Sequence, residues 1–313
     1  MNYILVGKNG RPSMKEVFAQ VTEDCVLIIN KGDYFYKYSK ENGVAGKAEV
    51  LKSVPKIGKG DKLIRWGNTI KVEVDGGITY NKSSQVALGA NKKKARILLQ
   101  ERGIDVPKTW STVEEFLKDK TKHVKLGYIV RPSKHQQGKK LAFCKNEEEV
   151  EEAVIEFGQD SYISQFYPKT REFRVHVAHG KILIMHEKPA PADKTTVAWN
   201  RHVNHDAFIV IKWGDYDPYI AKLAINTVKA LELDNGAVDI LAYPEVKDIK
   251  LPKAVVCEVN TAPTLRNYAQ KKYASYFDWL LRSAKRREEW NSSEFKEGKS
   301  FAWKNSQLSE KKE

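Results

Sequence analysis

The chain has 313 residues, of which 41% are hydrophobic and 30% are charged, a composition typical of a soluble, folded protein. Its apolar runs, such as residues 25–29 and 254–257, fall far short of the roughly 20 residues that a membrane-spanning helix needs. The formal net charge is +14, but the basic excess is spread along the chain, which favours a basic surface for anionic ligands over a dedicated nucleic-acid module. A polyanionic acceptor is the alternative that this charge leaves open.

Three cysteines, Cys25, Cys144 and Cys257, each lie in an apolar run typical of a strand. An odd, unclustered set argues against a disulfide framework and against a zinc site. The first residues contain neither a basic n-region nor a cleavage site, so no signal peptide is expected. These features predict reduced thiols and a cytoplasmic protein without a membrane partner.

Residues 1–88 alternate short apolar runs with glycine-containing turns, which predicts a small N-terminal α/β domain. The predicted helix covers residues 11–20, and the predicted strands are 3–6, 25–29, 62–66 and 70–74.

Residues 89–168 begin with a helix over 91–102, for which Gly103 is a natural C′ residue. Ser111 and Glu114 form a capping-box pattern that predicts a second helix. Strands at 125–130, 140–143 and 162–167 surround a helix that Asn146 caps and Gly158 ends. The apolar face of that helix is predicted to contain Val150, Val154, Ile155 and Phe157.

Residues 169–290 are predicted to be rich in strands, with a hairpin of 172–177 and 181–186 and later strands at 237–243 and 254–259. Asp217 and Pro218 begin a helix as N-cap and first residue. A final amphipathic helix covers about 268–287, and the polar tail, 291–313, is expected to be loosely held.

Three oxygen-bearing side chains fall on the two late strands. Glu258 and Asn260 are two residues apart, so they share one face of a strand, and Asp239 can join them if the strands pair. Two carboxylates and an amide oxygen suit Mg²⁺. The alternative is a pair of acidic residues on the surface of edge strands.

Cations are predicted near these oxygens. Arg131 ends a strand and opens a polar loop containing Lys139, which could hold phosphates or could be a solvated basic turn. Arg174 alternates with apolar neighbours and therefore points away from the apolar layer, towards a phosphate or a substrate carboxylate. A cross-strand salt bridge from Arg174 to Glu187 or Glu172 is the competing interpretation.

Together these segments resemble the ATP-grasp superfamily, which includes ribosomal-protein glutamate ligases, glutathione synthetases and D-alanine–D-alanine ligases. Segment 236–241 is similar to the family's metal-binding Asp strand, and segment 257–265 to its Glu-x-Asn strand and the turn after it. Segment 162–167 looks like the hinge strand that holds adenine. The resemblance covers about residues 60–283.

The resemblance implies an ATP-grasp fold of mixed α+β and α/β class, with the nucleotide held between two lobes that carry antiparallel sheets. It divides the chain into an N-terminal α/β domain (1–88), a central ATP-grasp lobe (89–168), a C-terminal lobe with the metal site (169–290) and the tail (291–313). Arg131 stands where the family usually has Lys, and Gln165 where it often has Glu, although the Gln165 carbonyl oxygen can still meet the adenine amine.

The resemblance also assigns roles to residues. Asp239, Glu258 and Asn260 would bind the metal, with Arg174 and Asn260 as catalytic residues. The residues implied in nucleotide binding are Lys92, Arg131, Lys139, Gln165, Phe166 and Tyr167, and those implied in substrate binding are Arg201 and Arg266. A salt bridge to Asp278 is the alternative for Arg266.

The implied function is an ATP- and Mg²⁺-dependent carboxylate–amine ligase, with Mn²⁺ as an alternative metal, that forms an amide through an acylphosphate. Its partners would be small-molecule or peptide carboxylates and amines, and the family suggests a homodimer. The alternatives are a non-catalytic ATP-binding module, a nucleic-acid-associated modifying protein and, less favoured, a phosphotransferase of the same fold.

Overall fold

The computed structural model describes residues 1–7, 11–44, 46–133, 141–188, 209–212, 214–242 and 247–282. The strands are β1 (Asn2–Val6), β2 (Val26–Lys31), β3 (Tyr34–Tyr38), β4 (Glu49–Leu51), β5 (Lys62–Trp66), β6 (Ile78–Tyr80), β7 (Thr109–Trp110), β8 (Tyr128–Pro132), β9 (Ala142–Cys144), β10 (Ser161–Gln165), β11 (Arg171–Ala178), β12 (Lys181–Lys188), β13 (Ile209–Ile211), β14 (Asn235–Ala242) and β15 (Ala254–Asn260). The helices are α1 (Arg11–Gln20), α2 (Ser83–Ala90), α3 (Lys92–Glu101), α4 (Val113–Lys118), α5 (Glu147–Phe157), α6 (Pro218–Ala230) and α7 (Tyr268–Leu281).

The first sheet has six strands in the order β4-β3-β2-β1-β5-β6, and β1 runs parallel to both β2 and β5. The predicted α/β character of the N-terminal region is therefore confirmed. The predicted strand at 70–74 is wrong, because this segment forms only a single bridge between Val74 and Ile57. Its apolar residues Ile70 and Val72 instead pack from a loop against one face of the sheet.

The last helix, α7, packs against α1 and the other face of this sheet. The Trp66 ring makes an edge-to-face contact with Tyr273 at 4.9 Å and with Phe277 at 6.0 Å between ring centroids. Lys62 Nζ donates to the carbonyls of Leu280 at 3.1 Å and Leu281 at 2.9 Å, which gives these two backbone acceptors at the end of the helix a hydrogen-bond partner. The final helix therefore completes the core of the N-terminal region.

The second sheet is antiparallel, with the strand order β7-β10-β8-β9, and α4 and α5 pack on it. Asn146 caps α5 as predicted, since its side chain accepts from the Glu149 amide at 2.9 Å. The predicted cap of α4 is displaced by one residue, because Thr112 rather than Ser111 accepts from the Glu115 amide.

The predicted apolar face of α5 is wrong at one position. Ile155 is 82% exposed, whereas Val150 and Ala153 are buried against the sheet. Ile155 lies five residues after Val150, which carries it well past the buried stripe of a helix with 3.6 residues per turn.

The third sheet is antiparallel, with the strand order β13-β12-β11-β14-β15. One face is apolar and packs on α6 through residues such as Phe173, Val175 and Val238. The pairing of β14 with β15 contains a bulge, because Asp239 lies opposite Glu258 while the next residue, Ile240, lies opposite Val256. Within the described residues, no helix is long and apolar enough to cross a bilayer.

Candidate functional site

A row of polar residues crosses the face of the third sheet that turns away from α6. His186 of β12 lies opposite Arg174 of β11, Arg174 lies opposite Asp239 of β14, and Asp239 lies opposite Glu258 of β15. Residues that are directly opposite in a ladder project from the same face, so these four side chains are neighbours. Asn260, two residues after Glu258, extends the row. The structure thus brings Asp239, Glu258 and Asn260 together on one face.

Asp239 is held by two cations in a buried setting. Arg174 donates to both of its carboxylate oxygens, at 2.7 and 2.8 Å, and Lys188 Nζ lies 3.1 Å from Oδ2. Burial alone would raise the pKa of Asp239, but the charges of Arg174 and Lys188 outweigh it and hold this pKa well below its usual range. Asp239 is therefore ionised at neutral pH.

This geometry corrects the alternatives considered for Arg174. Its partner is Asp239, because the antiparallel register places these two residues directly opposite each other. Glu187 instead forms a two-pronged pair with Arg171, at 2.5 and 2.6 Å, and Glu172 pairs with Lys188.

Glu258 has a cation of its own. Lys92, at the start of α3, places its Nζ 2.5 Å from Glu258 Oε2, and Asn260 Nδ2 lies 3.4 Å from Oε1. Burial raises the pKa of Glu258, but Lys92 more than offsets it, so this pKa lies below its ordinary value even with Asp239 nearby. The predicted nucleotide-binding residue Lys92 thus lies directly beside the oxygen cluster.

The oxygen cluster has the donor chemistry of a magnesium site. The described residues contain no group of three His, Cys, Asp or Glu side chains placed to share a metal ion, so the set is two carboxylates and one amide. Magnesium is commonly bound by one or two carboxylates together with phosphate oxygens and water, so Asp239, Glu258 and Asn260 fit it. This set contains no histidine or cysteine, the side chains that usually bind zinc.

Arg131 of β8 brings a cation from the second sheet close to the third. Burial acts to lower its pKa, but Tyr162, Cys257 and Glu258, groups that can carry negative charge, raise it overall. Its guanidinium carbon lies 5.8 Å from the centroid of the Tyr162 ring, and its Nε is buried without a hydrogen-bond partner in the part of the chain described. Lys139 and the rest of its loop, 134–140, lie outside the described residues.

The predicted adenine segment has different side-chain partners from those expected. Gln165 is buried; its amide nitrogen donates to the carbonyls of His123 at 3.0 Å and Gly127 at 2.7 Å, and its oxygen accepts from the His123 amide. The side chain that was expected to meet adenine therefore ties β10 to the segment before β8. Phe166 follows and packs edge-to-face on Phe143 at 5.1 Å between ring centroids.

Tyr167 is also engaged by the protein, since its hydroxyl donates to the Pro252 carbonyl at 2.6 Å. Arg266, the predicted substrate ligand, is exposed just beyond the Glu-x-Asn strand. Asp278, the alternative partner of Arg266, accepts from the amides of Thr22 and Glu23. Arg201 lies outside the described residues.

Sequence reasoning missed Lys188 and His186. They are two residues apart on β12 and so share one face, but residues 181–188 do not alternate cleanly between polar and apolar, and only the register with β11 places them beside Arg174. The pKa of His186 is lowered to about 4 by burial and by Arg174, so its ring is neutral at pH 7. The row therefore combines two carboxylates with cations and neutral imidazole.

Comparison with known proteins found no matching family model and no matching curated protein. Solved structures do match. The D-cycloserine synthetase DcsG has a TM-score of 0.58 at 13% identity, covering 90% of this chain and 100% of that one. The D-alanine–D-alanine ligase from Coxiella burnetii has a TM-score of 0.56 at 16% identity, covering 93% and 98%. The ATP-grasp ligase PsnB, in complex with a minimal precursor, Mg and ADP, has a TM-score of 0.57 at 11% identity, covering 90% and 97%.

The chain has the ATP-grasp fold. The expected fold class, two lobes with antiparallel sheets preceded by an α/β region, is confirmed. In this ATP-grasp chain the second sheet supplies Arg131 and the third sheet supplies the row of Arg174, Asp239 and Glu258.

Proposed function

We propose that this protein is an ATP-dependent ligase that joins a carboxylate to an amine through an acylphosphate. The observation that carries the proposal is the oxygen cluster of Asp239, Glu258 and Asn260, which lies on one face of the third sheet with Arg174 and Lys188 beside it. Lys92 contacts Glu258 from α3, and Arg131 of the second sheet lies near enough to Glu258 for their charges to interact. Ionised carboxylates among several cations suit the binding of a metal–triphosphate.

In the proposed enzyme, Asp239, Glu258 and Asn260 hold Mg²⁺, or Mn²⁺ in its place, and the ion supplies charge neutralisation for the transferred phosphoryl group. Arg131 and Lys92 contact the phosphates, and Arg174 stabilises the phosphoryl group in flight or the acylphosphate. The likeness to PsnB, whose structure contains Mg and ADP, supports this reading. The protein contributes to catalysis by positioning the reactants and by neutralising charge, with little acid–base catalysis by its side chains.

The chemistry has two steps. A substrate carboxylate oxygen attacks the γ-phosphorus of ATP, the bond to ADP breaks, and an acylphosphate forms. An amine nitrogen then attacks the acyl carbon, inorganic phosphate leaves, and an amide remains after the nitrogen loses a proton. Arg174 is suited to the first step because its pKa is raised by Asp239 despite burial, so it keeps its charge.

The proposed acid is a small molecule or a peptide. PsnB, which resembles this chain in fold, has a precursor bound, and the other two matched structures are a D-alanine–D-alanine ligase and a D-cycloserine synthetase. Arg266 and Arg201 remain the proposed ligands of the substrate carboxylate. Arg266 follows Asn260 by six residues and is exposed, so a bound acid can reach it.

The test is ADP release with pairs of carboxylic acids and amines, including amino acids and short peptides, with products identified by mass spectrometry. Glu258→Gln and Asn260→Ala should each lower the rate about 100-fold or more, because each removes an oxygen that would hold the metal ion, and the ion would neutralise and orient the phosphates. Glu151→Gln, an exposed change on α5, is the control. Full-rate turnover by either site variant would remove the proposal.

A non-catalytic ATP-binding module is the second candidate, and it is favoured by Arg131 and Gln165, which depart from the residues that the family usually has at these positions. It predicts tight ATP binding with no ADP from any acid and amine pair. The charge of +14 favours the third candidate, a nucleic-acid-associated modifying protein, which requires binding to DNA or RNA that weakens steeply with salt. A phosphotransferase would give a stable phosphorylated product and no amide.

A further inference from the structure

The bulge in β15 decides which way the two late site residues face. Ala254 and Val256 belong to the apolar core on the α6 side, and strict alternation would turn residue 258 to that side as well. Cys257 is the extra residue of the bulge, and beyond it Val259 occupies the core while Glu258 lies opposite Asp239. The bulge therefore shifts the phase of the strand by one residue.

Arg96 of α3 holds the bulged residue. Its Nε and Nη2 donate to the Cys257 carbonyl oxygen at 3.0 and 2.8 Å. β15 is the last of the described strands in its sheet, and the Cys257 carbonyl on this edge is held by a side chain. On the same edge the neighbouring Val256 amide donates to the Asp105 carbonyl at 2.8 Å.

Helix α3 is placed to act on both Cys257 and Glu258. Its residues Ala95 and Leu99 are buried in the core of the third sheet, which fixes the helix against β15. Lys92 and Arg96 are four residues apart and so share one face of the helix. They contact successive residues of β15, Lys92 at Glu258 and Arg96 at Cys257.

Burial of the Arg96 guanidinium beside β15 costs folding free energy. The residue is only 3% exposed, and its Nη1 has no hydrogen-bond partner among the described residues. A buried cation with an unmet donor opposes folding, and an apolar side chain of similar length would avoid that cost. This cost of burial favours a role for Arg96 in the local geometry of β15 over a role in the stability of the fold.

We infer that Arg96 is a positioning residue that holds the bulge at Cys257 and thereby keeps Glu258 and Asn260 on the metal-binding face. The inference rests on the proposed function only for the identity of what binds there. The placement of Arg96 against the bulge stands on its own contacts.

The first experiment examines the free protein by hydrogen–deuterium exchange. In Arg96→Met the amides of residues 257–260 should exchange at least about ten-fold faster than in the wild type, since the bulge loses its side-chain support. Arg102→Met is the matched control; Arg102 lies at the end of the same helix and contacts the Ala230 carbonyl and Glu232 instead. Unchanged exchange in Arg96→Met, or equal acceleration in Arg102→Met, would overturn the inference.

The second experiment measures binding of Mn²⁺ in the presence of ADP by electron paramagnetic resonance, without turnover. Arg96→Met should raise the Kd for Mn²⁺ about ten-fold, while Arg102→Met should leave it unchanged. If the wild type binds no Mn²⁺ with ADP, the proposed function fails. The hydrogen–deuterium exchange experiment then still tests whether Arg96 holds the bulge. If the wild type binds and Arg96→Met binds equally well, the positioning role is wrong.

Arg96→Lys provides a second variant in case the methionine protein does not fold. Lysine keeps the charge but cannot offer two donors in a fixed fork to the Cys257 carbonyl. It should therefore raise the Kd for Mn²⁺ in the same direction by a smaller factor, about three-fold. A lysine variant identical to the wild type in both experiments would show that the fork is not needed and would overturn the inference.

Discussion

The pair of Arg174 and Asp239 carries most of the charge compensation at the centre of the site. Both side chains are buried, and they share two hydrogen bonds of 2.7 and 2.8 Å. Removing one member of such a pair leaves a buried charge with fewer partners, which costs more than the pair itself contributes. Here Lys188 remains beside Asp239 and limits that cost.

Arg174→Met should therefore lower the free energy of unfolding by about 3 kcal/mol, measured by urea denaturation at pH 7. Arg171→Met on the same strand is the matched control, because Arg171 pairs with Glu187 in a more exposed setting. Exposed ion pairs contribute about 1 kcal/mol or less, so the control should lose no more than that. Equal losses in the two variants would contradict the burial argument.

At the residue scale, the oxygen cluster could be predicted and its partners could not. Glu258 and Asn260 share a face because residues two apart on a strand do so, and this holds whatever lies next to the strand. The contacts of Asp239 with Arg174 and Lys188 depend on the register between the β11–β12 hairpin and β14, a strand that is distant from the hairpin in sequence. The side-chain partners of Gln165 were missed for the same reason, since they belong to a loop 42 residues away.

Helix α5 shows how element predictions fail at their margins. Its cap and its end were predicted from Asn146 and Gly158, because these residues act on their own backbone neighbours. Its buried stripe is narrower than the apolar residues suggested, and Ile155 lies outside it. The bulge at Cys257 could not be predicted, because nothing in the sequence of residues 254–260 shows that one of them lacks an opposite residue on β14.

Two alanine substitutions on α5 test this assignment. Val150→Ala should lower the free energy of unfolding by about 2–3 kcal/mol, because it opens a cavity against the second sheet. Ile155→Ala should change it by less than about 0.5 kcal/mol, because that side chain is mostly in water and alanine has the higher helix propensity. Chemical denaturation of both proteins supplies the values, and a larger loss for Ile155→Ala would refute the assigned face.

At the scale of the whole molecule, α7 joins the two ends of the described chain. Its aromatic residues Tyr273 and Phe277 pack on Trp66 of β5, and Tyr273 also contacts His176 of the third sheet at 3.2 Å. The N-terminal region therefore shares a core with the last helix. The periodicity of the sequence could not predict this, because the apolar face of an amphipathic helix does not identify the surface against which it packs.

A chain that ends at residue 266 should lack cooperative unfolding and bind a hydrophobic dye, since the apolar face that α7 covers would be exposed. A chain that ends at residue 290 retains α7 and is the control; it should unfold like the full-length protein. Thermal unfolding followed by near-ultraviolet circular dichroism compares the two. A sharp transition in the shorter chain would show that the N-terminal sheet is stable without the helix.

The Lys62 contact with the end of α7 bears on how the protein is made. Lys62 Nζ reaches the carbonyls of Leu280 and Leu281, more than two hundred residues further along the chain. On the ribosome, the strands of the first sheet emerge before α7, so the apolar surface that α7 covers stays open and this lysine lacks these acceptors until that helix has been made. Throughout that interval Trp66 and its apolar neighbours in the first sheet lack the aromatic partners that α7 later supplies.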